Sequence, residues 1–220
     1  MARAPAKSKS EPATAPRPRD AIRTKARILE CAFDEFARHG YDGARVDRIV
    51  KTAGVNISLV YQYFGSKEKI FIAVMEQAYD LMRASHRDFD VRDLEPEAAM
   101  ESLLRRTFHI FIDHPELISL LNSENVHSGR HIAKSEHIRV LYNPLLDTIR
   151  MVLDRGAAAG VFRPDVDAEA LFISMNGMGY FYLSNRFTLG VILGRDLMTR
   201  KSLARHEDHI VSVMLGYLKA

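Results

Sequence analysis

The sequence predicts an all-α chain: an N-terminal three-helix unit containing a helix-turn-helix, followed by a larger helical domain. Three observations carry this. Apolar residues recur at spacings of three and four from Asp20 onward. The alternation that marks half-buried strands is missing. Two short apolar-faced segments meet at Ala53-Gly54-Val55, a turn suited to joining two steeply crossing helices. The expected division is a tail over residues 1–18, a helix-turn-helix domain over 19–65 and a helical body over 66–220.

The tail is rich in Ala, Pro, Ser, Lys and Arg. Pro5, Pro12, Pro16 and Pro18 oppose a helix and nothing apolar is there to fold it, so a disordered basic tail is expected. In the first helix Ile22, Ala26, Leu29, Ala32, Phe33 and Phe36 line one face, and Gly40 ends it. The second carries Val46, Ile49 and Val50, and the third covers residues 56–64. Gly65 stops the third, and Ser66 caps a fourth bearing Ile70, Phe71, Val74, Met75, Ala78 and Met82. Further helices are expected over 96–113, 115–125, 135–159, 167–186 and 206–219, with Gly156, Gly160 and Pro164 punctuating the gap before Asp167.

Charge is distributed unevenly. Residues 1–70 hold 14 Lys and Arg against 8 Asp and Glu, a net of +6; residues 71–220 hold 17 against 20, a net of −3, which together give the chain's +3. A basic front end on a slightly acidic body points the front end at a polyanion. A lone cysteine, Cys31, excludes an intrachain disulfide and fits a reducing cytoplasm. No run of about 18 apolar residues is present to span a membrane, and the basic N-terminus lacks the apolar stretch of a signal peptide.

The segment from Val46 to Phe64 concentrates the chemistry. Ala53 is small where the two helices touch, Gly54 tolerates the positive φ of the turn, and Val55 plugs the wedge between them. Val60 and Phe64 then face inward with Val46, Ile49 and Val50, leaving Ile57, Ser58, Tyr61 and Gln62 outward. A helix presented in this way fits a major groove. The backbone N–H groups at Asn56 and Ser66 are placed to favour phosphates.

Gly40-Tyr41-Asp42, the run from Val46 to Phe64 and Gly65-Ser66-Lys67-Glu68 together resemble the TetR family of bacterial one-component repressors. The resemblance covers about residues 27–71 and includes the family's aromatic block as Tyr61, Tyr63, Phe64, Ser66, Lys67 and Glu68. It implies three helices that read a double-stranded DNA operator, a fourth that links them to the body, and a four-helix homodimer interface formed by the last two long helices. By position, Tyr61 and Lys67 look like phosphate contacts, and Ile57, Ser58 and Gln62 look like base-facing residues; Asn56 and Tyr63 complete the expected surface. The chain departs from the family in two places. Ala44-Arg45 stands where a hydroxyl N-cap is common, and Arg45 is expected to take over its phosphate contact. Ile57 cannot donate a hydrogen bond and fits a thymine methyl instead.

In the body, Phe108, Phe111, Tyr142 and Met175 are candidate walls for an apolar effector pocket, with Asn122, Asn125, His131 and Asn176 as polar groups that orient an unidentified small-molecule effector; core packing and a solvated loop are the competing readings. The expected dimer interface is Leu171, Phe172, Met175, Gly179, Tyr182, Ile210, Val211, Met214, Tyr217 and Leu218. Such a dimer sets two recognition helices roughly 34–36 Å apart. His127 and His131, and His206 and His209, have helical spacing but no third ligand, so no metal and no cofactor is expected. No nucleophile triad, phosphate-cradling glycine loop or paired-carboxylate motif supports an enzyme. The alternatives are an architectural DNA-binding protein without effector and a helical enzyme.

Overall fold

The computed structural model describes residues 18–87, 91–141 and 143–220. Its regular elements are α1 (Pro18–Gly43), α2 (Val46–Ala53), α3 (Ile57–Phe64), α4 (Lys67–Arg87), α5 (Pro96–Asp113), α6 (Pro115–Val126), a 3-10 turn (Ile132–Lys134), α7 (Glu136–Leu141), α8 (Asn143–Ala158), α9 (Ala168–Ser184), α10 (Arg186–Leu193) and α11 (Arg200–Leu218). Among the described residues the β-type pairing is one isolated bridge, Phe162 to Lys219. The expected tail lies outside the described residues apart from Pro18.

α1 packs on α2, α3 and α4, and also on α6 of the body. α5 lies at the centre of the body, touching α4, α6, α8, α9 and α11. One apolar core therefore runs through both parts, from Ile28 and Phe36 through Phe71 and Phe108 to Leu218. A shared core ties the position of α1–α3 to the packing of the body.

The turn chemistry matches the sequence. Gly40, at φ 63°, kinks α1 three residues before its end, and Gly54, at φ 63° and ψ 39°, ends α2 in the left-handed region. The fourth-helix stripe is buried as expected, from Ile70 to Met82. The first-helix stripe is buried in its second half, at Ala32, Phe33 and Phe36 with Leu29 half-buried and Ile28 joining them, while Ile22 is 73% exposed and Ala26 is exposed.

The C-terminal half departs further. α7 and α8 both lie within the helix expected over 135–159, and the residue between them, Tyr142, lies outside the described residues. α11 begins earlier than expected, at Arg200, because Thr199 caps it by accepting the Ser202 backbone N–H at 3.2 Å. α10 was not expected at all. None of its residues is buried, and Phe187, Val191 and Ile192 are 73–84% exposed.

Candidate nucleic-acid interface

α2 and α3 meet across the Gly54 turn, and Val60 and Phe64 anchor α3 to the core. The opposite face of α3 is bare. Ile57 is 38% and Tyr61 43% exposed, and Asn56, Ser58 and Gln62 are exposed beside them. Tyr63 is half-buried against the core. The sequence thus separated the inner and outer faces of α3 correctly, with Tyr63 belonging to the inner side.

The Asn56 and Ser66 side chains act as acceptors at the starts of α3 and α4. Asn56 Oδ1 accepts the Ser58 N–H at 2.9 Å, and Ser66 Oγ accepts the Lys69 N–H at 3.2 Å. These caps fix the ends of α3 and α4. Lys67 Nζ donates to the Asp42 carbonyl at 3.4 Å and sits 4.9 Å above the Tyr41 ring. Burial there pushes its ammonium below the usual lysine range.

The missing hydroxyl cap of α2 has a replacement that the sequence concealed. Arg45 stands at the N-cap with no side-chain cap bond. Its backbone N–H is instead accepted by Glu35 Oε1 of α1 at 2.9 Å. The same oxygen holds Arg48 Nη2 at 2.6 Å, and Arg48 also donates to the Gly43 carbonyl. The Arg45 side chain is left exposed at the edge of the α3 face. Ten residues separate Glu35 from Arg45, and no periodicity links them.

Burial alone would raise the Glu35 carboxyl; the Arg48 guanidinium and the Arg45 N–H outweigh it and hold the group below the usual carboxylate range. A depressed folded value gives a stabilisation that is present above the unfolded carboxylate value and is lost as pH falls through the folded one. Glu35→Gln keeps an acceptor but does not titrate. Its thermal midpoint is therefore expected to fall less than that of the wild type between about pH 6 and about pH 3, the range below which carboxylates protonate. Parallel midpoint curves would contradict the role given to Glu35.

The body grips this unit through α6 and the turn after it. The Tyr41 N–H donates to Ser123 Oγ at 2.9 Å, and His127 Nε2 lies 3.4 Å from Asp42. α7 and the 3-10 turn hold α4 from outside, Lys134 to Glu68, Ser135 to Glu76 and His137 to Asp80.

The expected effector residues scatter. Phe108, Phe111 and Met175 are buried in the α5–α9 core. Asn122 does face the body, accepting from the Tyr180 hydroxyl and donating to Ser184 Oγ at 3.1 Å. Asn125 and Asn176 each bond a carbonyl of their own helix, Leu121 and Phe172. His131 is fully buried, not beside those groups but under Tyr41. Tyr142 lies outside the described residues. The rings of His127 and His131 lie 5.4 Å apart and those of His206 and His209 6.2 Å apart, centroid to centroid, with His131 Nδ1 facing Glu124 and His206 Nε2 facing the Met178 carbonyl.

The outer face of α9–α11 differs from the stripe read as the dimer seam. Leu171, Met175, Gly179, Tyr182, Ile210, Val211, Met214 and Leu218 are buried inside their own protomer; Phe172 is half-buried, and Tyr217 is 48% exposed. Gly179 serves the close approach of α9 to Phe108, whose ring carbon lies 3.1 Å from where a Cβ would stand. α9 is apolar nearly all round, so its periodicity does not reveal which face turns inward. Outward stand Ile173, Phe181, Val213 and Tyr217, and the last three, with Leu171 and Met214, line an apolar groove of about 600 Å³ between α9 and α11.

A three-helix unit that presents a bare helix, joined by one long helix and a shared core to an all-helical body, defines a helix-turn-helix transcriptional regulator. Residues 28–74 match the family described as bacterial regulatory proteins, tetR family, and residues 96–214 match the tetracyclin repressor-like C-terminal domain. The chain is 34% identical over 191 residues to the HTH-type transcriptional repressor NicS of Pseudomonas putida, covering 87% of this chain and 90% of that protein. It is 40% identical over 111 residues to the repressor SCO4008 of Streptomyces coelicolor, covering 50% and 54%. A regulatory protein in the tetR family from Rhodococcus RHA1 superposes with a TM-score of 0.69 at 18% identity, over 90% of this chain and 97% of that one. The chain belongs to the TetR family of bacterial transcriptional regulators. It is not an enzyme, and no described helix is long and apolar enough to cross a membrane.

Proposed function

We propose that the chain is a cytoplasmic repressor that binds a pseudo-palindromic operator as a homodimer and releases it when a small-molecule effector occupies the body. Residues 19–65 form the reading unit, and residues 66–220 sense and dimerise. The observation that carries this reading is the bare face of α3: Ile57, Ser58, Tyr61 and Gln62 are turned out together from a helix whose other face is locked in the core. Dimerisation is supported by the uncovered apolar face of α9, α10 and α11, which is larger than isolated surface hydrophobics explain. The coupling follows from α6, whose contacts reach both the body and Tyr41. An effector acts only through preferential binding to the arrangement that fits DNA poorly.

A gel-shift titration against DNA upstream of the chain's own gene, with excess non-specific competitor, tests the reading. A discrete competitor-resistant complex with two protomers is expected; salt-labile smearing alone would point to an architectural protein. Gln62→Ala is expected to relax preference at one base position, by roughly 1–3 kcal/mol if its amide reads an adenine edge. Tyr61→Ala is expected to weaken all sequences alike. Equal loss on every sequence for Gln62→Ala would argue against direct readout by that residue.

A further inference from the structure

Three consecutive residues of α6 face three different parts of the molecule. Asn122 bonds Tyr180 and Ser184 of α9. Ser123 accepts the backbone N–H of Tyr41, where α1 ends. Glu124 turns into the interior, where it is 3% exposed, and meets the fully buried His131. Its Oε1 accepts the backbone N–H groups of His131 at 2.8 Å and Ile132 at 3.0 Å, and its Oε2 lies 2.6 Å from His131 Nδ1. A carboxylate can only accept, so Nδ1 carries the proton. The Glu124 carboxylate thereby folds the turn after α6 back beneath the DNA-binding unit.

The other edge of the His131 ring has no polar contact. Nε2 finds no hydrogen-bond partner among the described residues. The ring lies 4.4 Å from that of Tyr41 and 4.9 Å from that of Phe71, centroid to centroid. Tyr41 in turn lies 5.1 Å from Phe71 and under Lys67 and Arg130. A histidine held by one nitrogen and left unsatisfied at the other is poor material for a core site that needs only filling, because an aliphatic side chain fills such a space without a bare buried nitrogen. What the histidine adds is direction. One edge is locked to α6 by a charge-assisted bond, so the flat face against Tyr41 cannot rotate.

We propose that Glu124 and His131 are a positioning pair: they fix the end of α1, through Tyr41, at the angle the paired operator requires, and they transmit any movement of α6 to it. The inference rests on the dimeric regulator reading and names the residues that perform its coupling. The effector side of the same helix is Asn122, two residues away, so a ligand that disturbs the Tyr180–Asn122–Ser184 cluster moves Glu124 by moving α6.

The test uses the full chain and two DNA fragments, a complete inverted repeat selected from random sequence by the wild type and a single half-site cut from it. Angle matters only when both domains engage at once. Glu124→Ala and His131→Ala are expected to lower affinity for the inverted repeat about tenfold, within the usual span of coupling between sites, while leaving half-site affinity unchanged. Glu124→Gln, which can still accept both backbone N–H groups and pair with the other tautomer of His131, is expected to restore binding to within about twofold of the wild type. Ser123→Ala, which removes only the bond to the Tyr41 N–H, keeps the proposal testable where a buried alanine variant fails to fold; it is expected to lose inverted-repeat affinity selectively as well. Parallel loss on both fragments, or wild-type affinity in folded Ser123→Ala and Glu124→Ala, overturns the positioning role alone. A wild type that selects no sequence overturns the regulator reading, and this inference with it.

Discussion

Phe181→Asp is expected to yield a folded monomer that has lost operator binding. Phe181 is 61% exposed on the outer face of α9 and lines the groove shared with Val213 and Tyr217, so an aspartate there costs the protomer little. In a dimer the same position is covered, and an unpaired carboxylate would be stripped of water. Two reading heads held together bind far more tightly than one, because the second contact is intramolecular. Losing that advantage is expected to cost about a hundredfold or more in operator affinity. Sedimentation velocity reads the mass, circular dichroism the fold and gel shift the binding. A variant that remains dimeric would move the interface away from this face.

Phe71→Ala has the largest expected effect on stability. Its fully buried ring stands 4.9 Å from Phe36, 5.1 Å from Tyr41 and 4.9 Å from His131, joining α1, α4 and the turn after α6. Truncation removes a large apolar group and leaves a cavity that the rings held on α1 and on the turn cannot close. The expected cost is about 3–5 kcal/mol. In a chain of this length each kcal/mol lowers the midpoint by roughly 2–4 °C, so a fall on the order of 10 °C is expected in a thermal melt. A change of a degree or two would mean that the reading unit and the body are not joined through this core.

The legible parts of the molecule are those that local chemistry dictates. Gly40, Gly54 and Gly65 mark left-handed turns that few other residues tolerate, and α2–α4 follow from them. The bare face of α3 is legible because Val60 and Phe64 leave one way for an eight-residue helix to sit. Features built by distant residues are not legible. Glu35 caps α2 from another helix, and Glu124 engages His131 across a turn whose closure no spacing foretells. α9 hid its orientation through being apolar nearly all round, and α10 hid altogether because little of its apolar surface beyond Leu189 packs on the core of its own protomer. Among the described polar candidates, Asn122 bonds α9 and His131 bonds Glu124 of α6, whereas Asn125 and Asn176 bond carbonyls of their own helices.

The central claim is that two copies of α3 read two half-sites together. Selection of bound fragments from random DNA, followed by native mass measurement of the complex, tests it most directly. The account predicts an enriched inverted repeat carrying two protomers, with half-site centres roughly 34–36 Å apart or a near multiple. No enriched sequence, or a single protomer on an unrepeated site, would contradict it.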